Sequence, residues 1–227
     1  MVTIKSAASN ESPENRSMSI RSFDIEKTSF KIIEESIQDH TYELQYEWPI
    51  VRRVIHATAD FDFATKEKII FNHSPIISAF KAIQNGSHII TDVEMVRAGI
   101  SKINLKKLNL ESVCKITDQT IMEEAKKYNK TRAEMAMLSC REEMDGGVVV
   151  IGNAPTALYE TIRMIKENLT KPSVVIGVPV GFVSALESKT ELLKTNIPSI
   201  TNLGRKGGSS VASSIINALL LLYLQIK

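Results

Sequence analysis

The stretch VVVIGNAPTAL, residues 148–158, decides the fold. Four β-branched residues, Val148 to Ile151, run into Gly152-Asn153-Ala154-Pro155-Thr156, and a helical pattern then continues through Ile165. The same order recurs twice. Val174-Val175-Ile176 leads to Gly177-Val178-Pro179-Val180-Gly181 and a helix holding Ala185 and Leu192. Ile197 to Thr201 leads to Gly204-Arg205-Lys206-Gly207-Gly208-Ser209-Ser210 and a last helix to Gln225. Continuous apolar strands alternating with helices predict a parallel sheet covered on both faces. The fold class is therefore α/β: a mostly parallel central sheet flanked by helices. Ligands of such sheets bind outside the carboxyl ends of the strands, where all three glycine-rich loops would lie.

Upstream, the period is mainly helical. Phe30, Ile33 and Ile37 set one helix, with Thr28 or Ser29 as its N-cap. Trp48-Pro49 places a first-turn proline in a second helix, Glu47 to Ala57, whose apolar stripe is Val51, Val54 and Ile55. A third helix is predicted near Thr65, and a fourth from Ser74-Pro75 to Asn85-Gly86. His88 to Thr91 and Val113 to Ile116 read as short strands. Asp92 is the expected cap of a helix ending at Gly99, Thr117-Asp118 opens another, and one more spans Thr131 to Met144. Residues 1–22 are rich in Ser, Asn and Glu and read as a flexible tail, leaving 23–227 as one domain.

Composition narrows the function. The 227 residues carry 28 Lys+Arg against 26 Asp+Glu, a formal charge of +2, which argues against a nucleic-acid or polycationic membrane binder. The two cysteines, Cys114 and Cys140, form no CxxC pair, so neither a disulfide scaffold nor a zinc site is expected and a cytoplasmic location fits. The N-terminus lacks the apolar core of a signal peptide, and the apolar run from Ala218 to Leu224 is too short for a membrane span.

Few residues carry obvious chemistry. The Gly204–Ser210 loop fits neither the P-loop nor the GxGxxG fingerprint. It reads as an anion site built from backbone N–H groups and two cations, or as a plain surface turn. Gly152-Asn153-Ala154-Pro155-Thr156 reads as a tight turn whose small residues also allow a flat ligand to approach the backbone. His40 and His73 sit among polar residues and are expected in solvent, and His88 is a turn residue. His56 differs: it ends a helix, and Arg53, three residues earlier, leaves the same face. Such a histidine is either a proton-transfer group or a satisfied structural residue. Cys140 and the Met135/Met137/Leu138 group read as core. The last helix, small early and bulky late, suits core or a subunit interface.

Several stretches together resemble the precorrin-8X methylmutase (cobalt-precorrin-8 methylmutase) family: Arg53-Val54-Ile55-His56-Ala57, Asp92 to Val96 with Gly99, Thr131-Arg132, Ile151 to Leu158, Gly177 to Val183 with Glu187-Ser188-Lys189, and Gly204 to Ser209. The likeness spans about residues 24 to 222, with Lys130, Thr58-Ala59-Asp60 and the N-terminal tail as departures. It implies an α/β homodimer that binds a tetrapyrrole substrate and product and uses no cofactor and no metal. It implies migration of a methyl group from ring carbon 11 to ring carbon 12 of the macrocycle, with His56 as the acid. It further implies substrate binding by Ser29, Arg53, Thr131, Arg132, Gly152, Asn153, Thr156, Gly181, Phe182, Arg205, Gly207 and Gly208. Carboxylate arms suit scattered cations, among which Lys206 also counts, and backbone donors. Two other classes stay open: a tetrapyrrole-binding protein without turnover, and a phosphate- or nucleotide-binding α/β enzyme using the Gly204–Ser210 loop.

Overall fold

The structure, a computed structural model, describes residues 13–37 and 39–227, with side chains from Asp24 onward. Residues 1–12 of the expected tail lie outside the described residues. The chain divides into two units, residues 1–39 and 40–227. The first is built on helix α1 (Pro13–Ser36). Thr28 and Ser29 are therefore interior to a helix and cap nothing. Their hydroxyls donate back to the carbonyls of Asp24 and Ile25, at 2.8 and 2.9 Å, the usual outlet for a hydroxyl inside a helix.

The second unit runs α2 (Glu47–Thr58), a 3-10 turn (Phe61–Ala64), β1 (Ile69–Asn72), α3 (Pro75–Gln84), β2 (Ile89–Thr91), α4 (Glu94–Gly99), α5 (Lys102–Leu108) and β3 (Ser112–Val113). It continues through α6 (Gln119–Lys127), α7 (Arg132–Ser139), α8 (Arg141–Met144), β4 (Val148–Ile151), α9 (Pro155–Lys166), β5 (Val174–Gly177), α10 (Ala185–Leu193), β6 (Ser199–Asn202) and α11 (Ser209–Ile226). The sheet order is β1-β6-β5-β4-β2-β3. All pairs are parallel except β1–β6, where Ile69 faces Asn202 and Asn72 faces Ser199. The mostly parallel α/β sheet of the sequence reading is thus present, and the carboxyl ends of β4, β5 and β6 bring the three glycine-rich loops to one edge.

The helices differ from the sequence reading at three further places. The helix placed near Thr65 is a 3-10 turn followed by the edge strand β1, because Ile69-Ile70-Phe71 is short enough for either state and finds a strand partner in β6. The Thr131–Met144 helix is interrupted at Cys140. The Lys102–Leu108 helix escaped the sequence reading, although Ser101 caps it by accepting from the Asn104 N–H at 3.3 Å.

Strand side chains alternate between two buried faces. Ile90, Val149, Ile151 and Val175 meet Met137, Cys140, Met144, Leu158, Ile162, Met164 and Leu192 from α7–α10. The intervening residues, Ile89, Val148, Val150, Val174 and Ile176, are equally buried on the opposite face. That face is covered by α11 and the helices α2–α5 grouped around it. α11 has 18 residues of mean hydropathy 1.6, enough by length and composition to cross a bilayer, which the shorter run counted in the sequence did not reveal. Its residues Val211 to Ile216 and Ala218 to Leu220 are buried within this unit, so its apolarity serves the core.

Candidate active site

The amphipathic pattern of α2 places the candidate acid. Ile50, Val51, Val54 and Ile55 are buried at 0–1 % exposure, which turns the opposite stripe, Arg53 and His56, outward. His56 lies in the last helical turn, closed by Ala59 in a left-handed conformation that donates its N–H to the Ile55 carbonyl at 2.7 Å. Arg53 and His56 line a pocket of about 210 Å³ together with Ala57 and four residues of α11: Ser210, Ser213, Ser214 and Asn217. The sequence reading noted the small early residues of α11 without assigning them. They let two helices pass closely enough to leave a polar cleft. Asn217 is fixed from the far side, donating to the Gly99 carbonyl and accepting from the Ser101 N–H, both at 2.8 Å.

The loop after β4 behaves differently from its reading. β2 and β4 neighbour each other while the chain between them visits β3 on the other side, so their carboxyl ends form the switch point where such sheets bind ligands. Here the place is taken by the protein's own carboxylate. Asp92 does not cap α4. Its Oδ1 accepts from the Gly152 N–H at 3.1 Å, and its Oδ2 accepts from Asn153 and Ala154 at 2.8 Å each. Burial pushes the Asp92 carboxyl up, and the three N–H groups pull it back. The donors of Gly152 and Asn153 are therefore committed within the fold. Gly152 is glycine for packing: a Cβ would stand 2.8 Å from the Ala212 Cβ and 2.9 Å from Val96.

Thr156 meets Thr131, their hydroxyl oxygens 3.1 Å apart. Thr131 also caps α7, accepting from the Glu134 N–H while the Glu134 carboxylate accepts from the Thr131 N–H. Lys130 anchors this corner through a 2.8 Å bond to the buried Glu160, which Arg163 also holds at 2.6 Å. Burial raises the Glu160 carboxyl, but the two cations outweigh it and the net shift is downward. Arg132 borders a second cleft, of about 470 Å³, with Met122, Ala125, Lys126, Asn129 and Lys130.

At the β5 and β6 loops the structure brings Gly181, Phe182 and Arg205 together. Gly181 donates to the Arg205 carbonyl at 3.1 Å, and the Arg205 guanidinium lies 5.4 Å from the centre of the exposed Phe182 ring. The Gly204–Ser210 loop is not an open cradle. Gly208 donates to the Val178 carbonyl at 2.9 Å, and a Cβ on Gly207 would collide with that same carbonyl oxygen. Lys206, read from the sequence as charge for a ligand, instead holds Asp60 and Asp62 at 2.7 and 2.6 Å. Lys189, which carried no role beyond its motif, is fully buried. Its ammonium donates to Asn202 Oδ1, to the Gly204 carbonyl and to the Lys206 carbonyl at 3.1, 3.1 and 2.6 Å. Burial pushes it down to about 8.

The other histidines divide. His40 is not in open solvent but stacks on Trp48, ring centres 3.9 Å apart. His88 stands 3.9 Å from Glu111. Cys140 is core, and burial pushes its thiol up to about 11, where it stays protonated near neutral pH. Among the described residues no group of three or more His, Cys, Asp or Glu is arranged to hold a metal ion.

The chain belongs to the precorrin-8X methylmutase family, which it matches over residues 24–222. It is similar to the cobalt-precorrin-8 methylmutase of Priestia megaterium, 45% identical over 209 residues and covering 92% of each chain. The cobalt-precorrin-8 methylmutase of Methanocaldococcus jannaschii is 43% identical over 189 residues, 83% of this chain and 86% of that one. The crystal structure of a precorrin-8x methyl mutase from Thermus thermophilus superposes with a TM-score of 0.82 at 36% identity, covering 89% of this chain and 96% of that one.

Proposed function

We propose that this chain is an isomerase of corrin-ring (vitamin B12) biosynthesis. It moves a methyl group from ring carbon 11 to ring carbon 12 of precorrin-8X, or of cobalt-precorrin-8, to give hydrogenobyrinate or cobyrinate. Family membership supports this reading, and the observation that carries it to particular residues is the pocket where His56 and Arg53 face the small polar wall of α11.

His56 donates a proton or a strong hydrogen bond to the ring near the migrating methyl, leaving the adjoining conjugated system electron-poor enough for the shift. The same proton returns to His56 as product leaves, so the reaction consumes no cofactor. Histidine suits both directions, since its unperturbed pKa is about 6.5. Arg53 presents a planar fork to one carboxylate arm. Thr131, Arg132, Thr156, Phe182 and Arg205 serve the remaining arms and the ring face. The protein works as a cytoplasmic homodimer.

Replacing His56 by Ala is expected to cut the single-turnover rate about 10²–10⁴-fold, the usual contribution of general acid–base catalysis, and to leave corrinoid affinity in place. The ring's absorption spectrum reports turnover, because methyl migration changes the conjugated path. Normal turnover in a folded His56→Ala protein would remove the acid from the mechanism. Binding without any spectral change in the wild type would favour the carrier reading. The nucleotide reading has lost its support, since Lys206 and the loop amides of Gly208 and Lys206 are paired within the protein.

A further inference from the structure

Lys206 is held at every polar group it has. Its N–H donates to Glu67 Oε2 at 3.0 Å. Its carbonyl accepts from Lys189 Nζ at 2.6 Å and from Asn202 Nδ2 at 3.1 Å. Its ammonium reaches Asp60 Oδ2 and Asp62 Oδ2 at 2.7 and 2.6 Å. Asn202 also donates to Glu67 Oε2 at 3.3 Å, which closes the network. Partners from four segments thus converge on one loop residue. Exposed ion pairs contribute little to stability, and the three charged side chains here are 29–37 % exposed, so stability alone does not account for the arrangement.

Its place in the chain does. Asp60 lies four residues after His56, and Lys206 lies four residues before Ser210, both of which line the same pocket. Asp60 is itself fixed by accepting from the Asp62 N–H at 3.0 Å, and its own N–H lies 3.3 Å from the Thr58 hydroxyl, which caps back onto α2 through the Val54 carbonyl at 2.8 Å. On the other side, the Gly208 carbonyl accepts from Ala212 at 3.0 Å and so opens α11.

We propose that Lys206 is a positioning residue for His56. Its ion pairs with Asp60 and Asp62 tie the segment that ends α2 to the loop that begins α11, and so set the separation of the two helix ends that enclose the pocket. Lys189 holds the loop from beneath, and Lys206 locks it across to the His56 side.

The consequence builds on reading His56 as the proton-active group, but its first test needs no turnover. The His56 ring resonance, assigned by comparison with His56→Ala, is followed by NMR as pH is varied in wild type, Lys206→Met and Lys206→Arg. Ser210, Ser213, Ser214 and Asn217 of α11 face His56 across the pocket, so a change in helix separation alters the polar surroundings and solvent access of its ring. Lys206→Met is expected to move the His56 titration midpoint by at least 0.3 unit and Lys206→Arg to restore it. With corrinoid substrate, Lys206→Met should lower kcat about 5–30-fold with less change in KM. If Lys206→Met does not fold, the Asp60→Asn/Asp62→Asn double variant weakens the same contacts and must also move the His56 resonance and lower kcat. An unmoved His56 resonance in the folded variant overturns the proposal. A moved resonance in a protein whose wild type turns over no corrinoid would keep the positioning role and overturn the functional reading instead.

Discussion

Replacing Asp92 by Asn tests whether the switch point of the sheet is held by an internal carboxylate. The side chain is fully buried and accepts three backbone N–H bonds, one on Oδ1 and two on Oδ2. An amide keeps one acceptor and replaces the other by a donor. If the amide nitrogen takes the Oδ1 position, the buried Gly152 N–H faces a donor. If it takes the Oδ2 position, Asn153 and Ala154 both lose their acceptor. Each lost bond to a charged group is worth about 1.5–3 kcal/mol. Removing the charge returns part of the desolvation cost that pushes this carboxyl up, so the net loss is about 2–3 kcal/mol. For a chain of this size that lowers Tm by roughly 4–12 °C. Calorimetry of both proteins at neutral pH measures it. A Tm within about 1 °C of wild type would show that the loop after β4 is held by its own turn geometry and that the Asp92 bonds are incidental.

Gly152→Ala should destabilise by about 1–3 kcal/mol through overpacking, since the new methyl would press on Ala212 and Val96, and chemical denaturation would read the loss. Lys189 gives a pH signature. Its folded value of about 8 lies below the usual lysine range, so between pH 8 and 10 the unfolded chain holds more protons and stability rises with pH. Urea titrations should show a gain of about 1 kcal/mol from pH 8 to 9 that is missing in Lys189→Met. A wild type and variant with parallel pH curves would place the Lys189 proton affinity back in its ordinary range.

The sequence by itself determined the features that depend on neighbours along the chain. The Val148–Ile151, Val174–Ile176 and Ile197–Thr201 runs, each followed by a glycine-rich loop, specify parallel strands with their loops on one edge, because period and breakers act locally. The i, i+3 spacing of Arg53 and His56 on a helix with a buried opposite stripe likewise placed them together. Tertiary structure alone decided which groups those loops would meet. Ile69-Ile70-Phe71 became a strand only because β6 offered an antiparallel edge. Asp92 found its partners 60–62 residues away and Lys206 found Asp60 and Asp62 144–146 residues away, so glycines and a cation that looked available for a ligand were already engaged. Residues that far apart carry no mutual signal in one sequence. Which of them satisfy each other follows from how helices and strand ends converge, since burying a charge or an N–H requires whatever partner packing brings within reach.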